Sequence, residues 1–289
     1  NNILSLEFDE LKKVIVDSAL DFADAEAGFI YTALAAESTV ALALPALPQV
    51  RQAVLQSGMD VVVGTGKLTI NEALDQFAVK KGVEIRQALN DGVLDGETNK
   101  QIAAKIKDYG DNLHAGQVNA LVRTSINNAS AQARKVVTSD NSFIFKGDEW
   151  VATLDSRTTL ICGGRDGRIY PINSGPYPPA HWNCRSLRVP VVKDEFRTDD
   201  GLGRRPQVGA DGPKAVSSKR TFDSFMRDQP ADFQDEYFSQ FPDGLEKAAL
   251  FRRGKLTIDR FRDEQGRNYT LDQLKALEPM AFNKANLGI

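Results

Sequence analysis

Trp150-Val151-Ala152-Thr153-Leu154-Asp155-Ser156-Arg157-Thr158, followed by Cys162, by Asp166-Gly167 and by Pro178-Pro179-Ala180-His181-Trp182-Asn183-Cys184-Arg185, is the stretch on which the fold of this chain turns. Residues 143–155 are rich in aromatic and β-branched side chains, and Leu187, Val189 and Val191 alternate with Arg188 and Pro190, the two-residue period of strands. Asp166-Gly167 reads as a tight turn, and the prolines stiffen the return that follows it. Asp155 and Arg157, two positions apart, are expected on one side of an extended strand, paired so as to hold the strand end against the Asp166-Gly167 turn. Residues 139–192 are thus expected to form a compact, strand-rich module.

On the N-terminal side the pattern changes to helix. Leu6, Leu11, Val14, Ile15, Ala19, Phe22 and Ala23 recur at helical spacing over residues 4–36. Pro45 and Pro48 are expected to break that helix at a linker or sharp turn. Thr69 with Glu72, and Thr98 with Gln101, have the spacing of capping boxes and predict two helix starts; Gly82 weakens the first helix without ending it. A further helix is predicted over residues 113–137, where Val118, Leu121, Val122, Ser125, Ile126, Ala129, Ala133 and Val136 form one stripe. On the C-terminal side, residues 193–220 mix Asp, Gly, Arg, Pro and Ser with little apolar content and read as a surface connection. A last helical segment is expected over 222–251. Its aromatics, Phe222, Phe225, Phe233, Tyr237, Phe238, Phe241, Phe251 and, further on, Phe261, are read as core. The fold class is α+β: a helical N-terminal region (1–138), the module (139–192), a surface connection (193–220) and a helical tail (221–289).

Composition restricts the partners. The 289 residues carry a net charge of only −3, which excludes an all-over basic sleeve for nucleic acid. Residues 1–108 hold 16 acidic and 10 basic side chains, so the positive excess lies in the later part. No apolar stretch reaches membrane-spanning length, because Glu37, Pro45 and Pro48 interrupt the longest one. Two cysteines are too few for a disulfide scaffold, which fits synthesis in a reducing cytoplasm.

The ordered set of Asp155-x-Arg157-Thr158, Cys162, Asp166-Gly167 and Pro179-x-His181-x-x-Cys184-Arg185 resembles the phage Mu F-like minor head protein family, also called the head morphogenesis family. Val122-Arg123-Thr124 in the preceding helix resembles the same family. So do the tail stretches Gln229-Pro230, Phe233-Gln234, Leu250-Phe251-Arg252, Gly254-Lys255-Leu256 and Thr270-Leu271-Asp272-Gln273-Leu274. The resemblance covers about residues 92–277. It implies a minor capsid protein of a tailed bacteriophage that sits in the virion, inside the head near the portal. Its partners would be the portal protein, the major capsid protein and packaged DNA, and its roles head assembly and genome packaging or ejection.

Many members of that family carry two more cysteines, where this chain has Thr159 and Ser186. Cys162, His181 and Cys184 remain as candidate zinc ligands, one short of a closed structural site. Three states are open for the cysteines: zinc-bound, disulfide-linked, or two buried thiols, the last preferred; no cofactor is otherwise expected. An enzymatic alternative places Asp155, Arg157 and His181 at the centre of a DNA-binding or DNA-processing site. Without an accompanying nucleophile or metallohydrolase motif, Trp150, Asp155, Arg157, Thr158, Asp166, Gly167 and Arg185 are read as structural, and catalysis is not expected.

Overall fold

The computed structural model describes residues 2–61, 66–95, 99–198 and 203–287. The elements run α1 (Asn2–Glu37), α2 (Leu47–Gln56), α3 (Ile70–Leu94), α4 (Asn99–Asp140), β1 (Phe145–Val151), α5 (Leu160–Arg165), β2 (Ile169–Tyr170), β3 (Leu187–Val192), β4 (Arg204–Gly209) and β5 (Gly212–Ser217), followed by α6 (Phe222–Arg227), α7 (Ala231–Ser239), α8 (Gly244–Arg252), α9 (Leu271–Leu277) and α10 (Pro279–Ala285). The fold is α+β with helical ends. No described helix is long and apolar enough to cross a membrane. The chain divides into two units: Asn1–Ala33, Ala43–Asp140 and Tyr177–Cys184 in the first, and Leu34–Leu42, Asn141–Pro176 and Arg185–Ile289 in the second.

The first unit is built from the long helices. Ile15, Ala19, Ala23, Ala27 and Ile30 are buried along one face of α1, and Ala129 and Ala133 along α4. Side chains this small let helix backbones approach closely, which is what the stripe in 113–137 predicts. Polar ties fix the packing: Arg134 of α4 meets Glu26 of α1 at 2.5 Å, and Ser130 donates to the same carboxylate at 3.0 Å. The Thr69 and Glu72 side chains cap each other's backbone amides at the start of α3, which then runs unbroken through Gly82. The Thr98 box lies outside the described residues. Pro48 departs from expectation. It occupies the first turn of α2, where its missing N–H costs nothing and its fixed φ suits a helix, so it starts a helix instead of breaking one.

The second unit holds a three-stranded antiparallel sheet in the order β2-β1-β3, with Trp150 opposite Arg188. β3 is a strand as expected, but its buried face is the reverse of the apolar pattern: Arg188, Pro190 and Val192 point inward. Arg188 is 2% exposed because its guanidinium meets Asp148 at 3.2 Å and donates to the carbonyls of Ser174 and Pro176. The expected surface connection contains a hairpin, β4 and β5, closed by the two-residue turn Ala210-Asp211. Its low apolar content hid it, since the side chains β4 turns inward are Arg205 and Gln207. The helix expected over 222–251 is three short helices, cut at Pro230 and at Pro242-Asp243-Gly244. Its aromatics form the core as expected: Phe222, Phe225, Tyr237, Phe238 and Phe261 are fully buried, and Tyr237 and Phe238 stack edge-on with ring centroids 5.2 Å apart.

A buried carboxylate joins the sheet to these helices. Asp166 ends α5; its side chain accepts from the Ala152 amide at 2.6 Å, from the Phe222 amide at 2.7 Å, and from both terminal nitrogens of Arg205 at 3.0 and 3.1 Å. Arg205 also donates to the carbonyls of Ala152 and Arg220. Gly167, next along, has φ +78, the left-handed conformation the predicted turn requires, and its amide donates to Trp150 O at 2.8 Å. The side chains of Asp166 and Arg205 are 0% and 8% exposed, so neither charge has water to fall back on. Replacing Arg205 with Ala should therefore destabilise the protein by roughly 3 to 5 kcal/mol, leaving Asp166 charged, buried and short of donors. Urea unfolding of the purified chain measures this; a loss below about 1 kcal/mol would show that the pair is not the tie proposed here.

Candidate functional site

The residues singled out in the sequence gather after the end of β1. The chain leaves the strand at Val151, and Leu154 bridges to Gln207 of β4, its carbonyl accepting from the Val208 amide at 2.8 Å. Residues 155–157 then turn, and Thr159 caps α5, its hydroxyl accepting from the Cys162 amide. All six residues of α5 are buried. Two of them are glycine for a packing reason the sequence did not reveal: a Cβ on Gly163 would strike the Phe222 ring, and one on Gly164 would strike the Asp259 backbone and the Arg262 guanidinium. Arg262 donates to Leu160 O from this position, and burial, together with the charges of Arg165 and Arg168, pushes its pKa down to about 10.

Asp155 organises the turn, though with a different arginine from the one expected. Its two oxygens receive Arg185 in a bidentate pair at 2.5 and 2.8 Å. Arg157 points outward with 76% of its side chain exposed, and its guanidinium approaches Asp155 only to 3.7 Å. The i, i+2 argument fails because residues 155–157 are in a turn and no longer in a strand, so the two side chains do not share a face. What Arg157 contributes inward is its backbone amide, which donates to Asp155 at 3.1 Å. Thr158, also buried, donates its hydroxyl to Thr153 O at 2.5 Å and lies 3.3 Å from Asp155. Burial by itself would raise the Asp155 carboxyl; the hydrogen bonds and charge of Arg185, helped by the Arg157 amide and guanidinium, outweigh it and hold the pKa below the ordinary carboxylate value. Trp150 is completely buried under Arg165, whose guanidinium lies 5.1 Å from the ring centroid.

The return segment Tyr177–Cys184 is tied to α4 within the first unit. Thr124, buried in α4, donates to Ala120 O at 2.6 Å and accepts the Asn183 amide at 3.0 Å, while Lys135 lies over the Tyr177 ring at 4.9 Å. His181 Nδ1 is 2.8 Å from the Trp182 carbonyl. A carbonyl only accepts, so Nδ1 carries the proton in the neutral ring and Nε2 keeps the lone pair that a metal would use. Cys162 and Cys184 are buried thiols with no disulfide between them. Cys162 lies in the second unit, and His181 and Cys184 in the first. Two thiolates and an imidazole suit zinc, and among the described residues no fourth Cys, His, Asp or Glu joins the group.

With this geometry in hand, comparison with known proteins is informative. A family model described as Phage Mu protein F like protein matches residues 83–188, which include α4, β1, the Asp155 turn, α5, β2 and the first two residues of β3. A protein of Haemophilus influenzae (strain ATCC 51907 / DSM 11121 / KW20 / Rd), described as an uncharacterized protein, is 27% identical over 115 residues, 38% of this chain and 25% of the relative. The match thus spans about a quarter of that relative's length. No solved structure matches.

Two substitutions separate the partners of Asp155. Arg185→Ala should cost about 2 kcal/mol, less than a fully buried pair because the Arg185 side chain is 32% exposed, whereas Arg157→Ala should cost less than about 0.5 kcal/mol. The pH dependence carries a sign. A carboxylate whose pKa is lower folded than unfolded stabilises the fold above its unfolded value of about 3.9 and loses that contribution as the pH falls through the lowered one. The stability gap between wild type and Asp155→Asn should accordingly be widest above about pH 5 and close below about pH 3. Thermal melts across that range test both points, and equal losses from Arg185→Ala and Arg157→Ala would refute the assignment.

Proposed function

From the match of residues 83–188 to the Phage Mu protein F like family model, we propose that this chain is a minor head protein of a tailed bacteriophage. It is carried in the virion, bound inside the head near the portal, where it acts in head assembly and in packaging or ejection of the genome. The observation that carries the reading is the coincidence of the family match with one tightly buried polar turn. Asp155, Thr158 and Arg185 bond to each other and to backbone, as a part made to hold its shape does. The partners are the portal protein and the major capsid protein, with packaged DNA as a further neighbour.

A non-enzymatic role belongs to the same proposal. General-base work needs a carboxylate able to take a proton near neutral pH. Asp155, clamped by Arg185 with its pKa held low, is poorly suited to that task, and Arg157 faces solvent. The ligand chemistry of two thiols and an imidazole admits, as a second element, one structural zinc ion held by Cys162, His181 and Cys184, where sequence alone leaned to two buried thiols. Zinc there would supply a cross-link and no reaction step.

Co-expression with the cognate portal protein tests the assignment: the chain should stay bound to tagged portal at moderate salt and be present in purified particles. Absence from both would refute it. Elemental analysis of the purified chain after dialysis against a weak chelator should find about one zinc per chain, with loss of that zinc and a lower melting temperature in Cys184→Ser. A metal-free wild type with an unchanged melt would leave the cysteines as packing residues.

A further inference from the structure

The first unit carries two surfaces that the Asp155 turn does not use, and they complement each other. One is a cleft of about 500 Å³ lined by Ala73, Phe77 and Lys80 of α3, Ala120 and Leu121 of α4, and Trp182 of the return. Ala73 and Leu121 are buried, and Phe77 and Trp182 are half-buried, so the walls are apolar and aromatic. No described carboxylate lines it. Lys80 is exposed and makes no ion pair among the described residues. Along α3 the lining runs from residue 73 to residue 80, about 10 Å of helix.

The other surface is the outer face of α1. Val14, Phe22 and Phe29 are 53%, 39% and 63% exposed, and the helical repeat gathers them with Ala25 into one stripe. Ala19, Ala23 and Ala27 are buried on another face of the same helix, so α1 is already held in its own unit and leaves this stripe to another molecule. Two phenylalanines facing water on one stripe mark a contact surface. Their separation, seven residues or about 10 Å, equals the length of α3 that lines the cleft. Asp17 borders the stripe ahead of Phe22, is exposed, and makes no ion pair among the described residues. Apolar side chains of matching spacing and one free charge of each sign are thus present on two faces of a single unit.

We propose that these faces meet between copies of the chain: the outer stripe of α1 from one copy lies in the α3–α4 cleft of a second, Phe22 and Phe29 entering the cleft and Asp17 meeting Lys80. Because two different surfaces are joined, the contact is head to tail. The inference rests on the first unit alone and does not depend on the head-assembly assignment. Sedimentation of the purified full chain over a range of concentrations tests it, with tryptophan emission as a second readout. Trp150 is completely buried, so an emission change on association reports Trp182. Wild type should associate as concentration rises, with a blue shift of that emission. Phe29→Ser should weaken association roughly tenfold or more with the melting temperature unchanged, and Lys80→Glu should weaken it several-fold. Mixing the two variants should restore wild-type affinity in a one-to-one complex, since one supplies an intact cleft and the other an intact α1. A chain that stays monomeric, association indifferent to Phe29→Ser, a mixture no stronger than its components, or a Trp182 shift that appears only when portal protein is added would each overturn the proposal.

Discussion

The Asp166 carboxylate is the interaction on which the second unit depends. It is fully buried, and burying an ion costs several kcal/mol unless its lone pairs are met. Here each oxygen accepts one backbone amide and one guanidinium N–H, from residues that follow β1, open α6 and lie near the start of β4. Those segments cannot be rearranged singly without stranding a charge. Glu149, in β1, registers the same charge: burial first, and the negative field of Asp166 second, push its carboxyl upward. The network also explains how a hairpin as polar as β4 and β5 comes to be ordered. Arg205 spans to Asp166 and to the carbonyls of Ala152 and Arg220, so its position on the strand fixes the register of the hairpin against the rest of the unit.

This dependence sets the limit of what could be read in advance. Helical spacing, the Thr69 box and the Trp150 strand depend on residues within a few positions of one another, and each is where its local pattern puts it. The Asp166 and Arg205 pair spans 39 positions, and nothing in the intervening sequence marks Arg205 as buried. β3 shows the same blindness on a smaller scale. Alternation disclosed a strand, but which face turned inward was decided by Asp148 and a set of carbonyls that accept Arg188, against the hydrophobic rule. Asp155 and Arg157 were read as a pair holding the strand end, but the role of guanidinium partner went to Arg185, and Arg157 turned outward, because the chain curls after Leu154. Arg185 was in the quoted stretch, yet its distance of 30 residues from Asp155 gave no sign of the pairing.

The glycines and small residues make a related point about packing. Gly163 and Gly164 carry ordinary helical φ and are needed for space, not for backbone freedom. Without that space Phe222 could not close over α5, and the aromatic cluster that follows would lose its first member. Nothing in the sequence marks this pair, and the packed structure shows Gly163 as the socket for the Phe222 ring and Gly164 as the space taken by Asp259 and Arg262.

Taken together, the polar interactions of the second unit fall into two kinds. Around Asp155, Asp166 and Arg188 every charge has a partner and the backbone between them is pinned, which gives rigidity and leaves little capacity for a ligand. Arg227 and Arg252, on the tail helices, are partly exposed and pair with Asp223 and Asp235. Satisfied networks of either kind hold a shape. The quoted turn thereby supplies the frame of the unit, and the tail helices are tied to one another through Arg227 and Arg252.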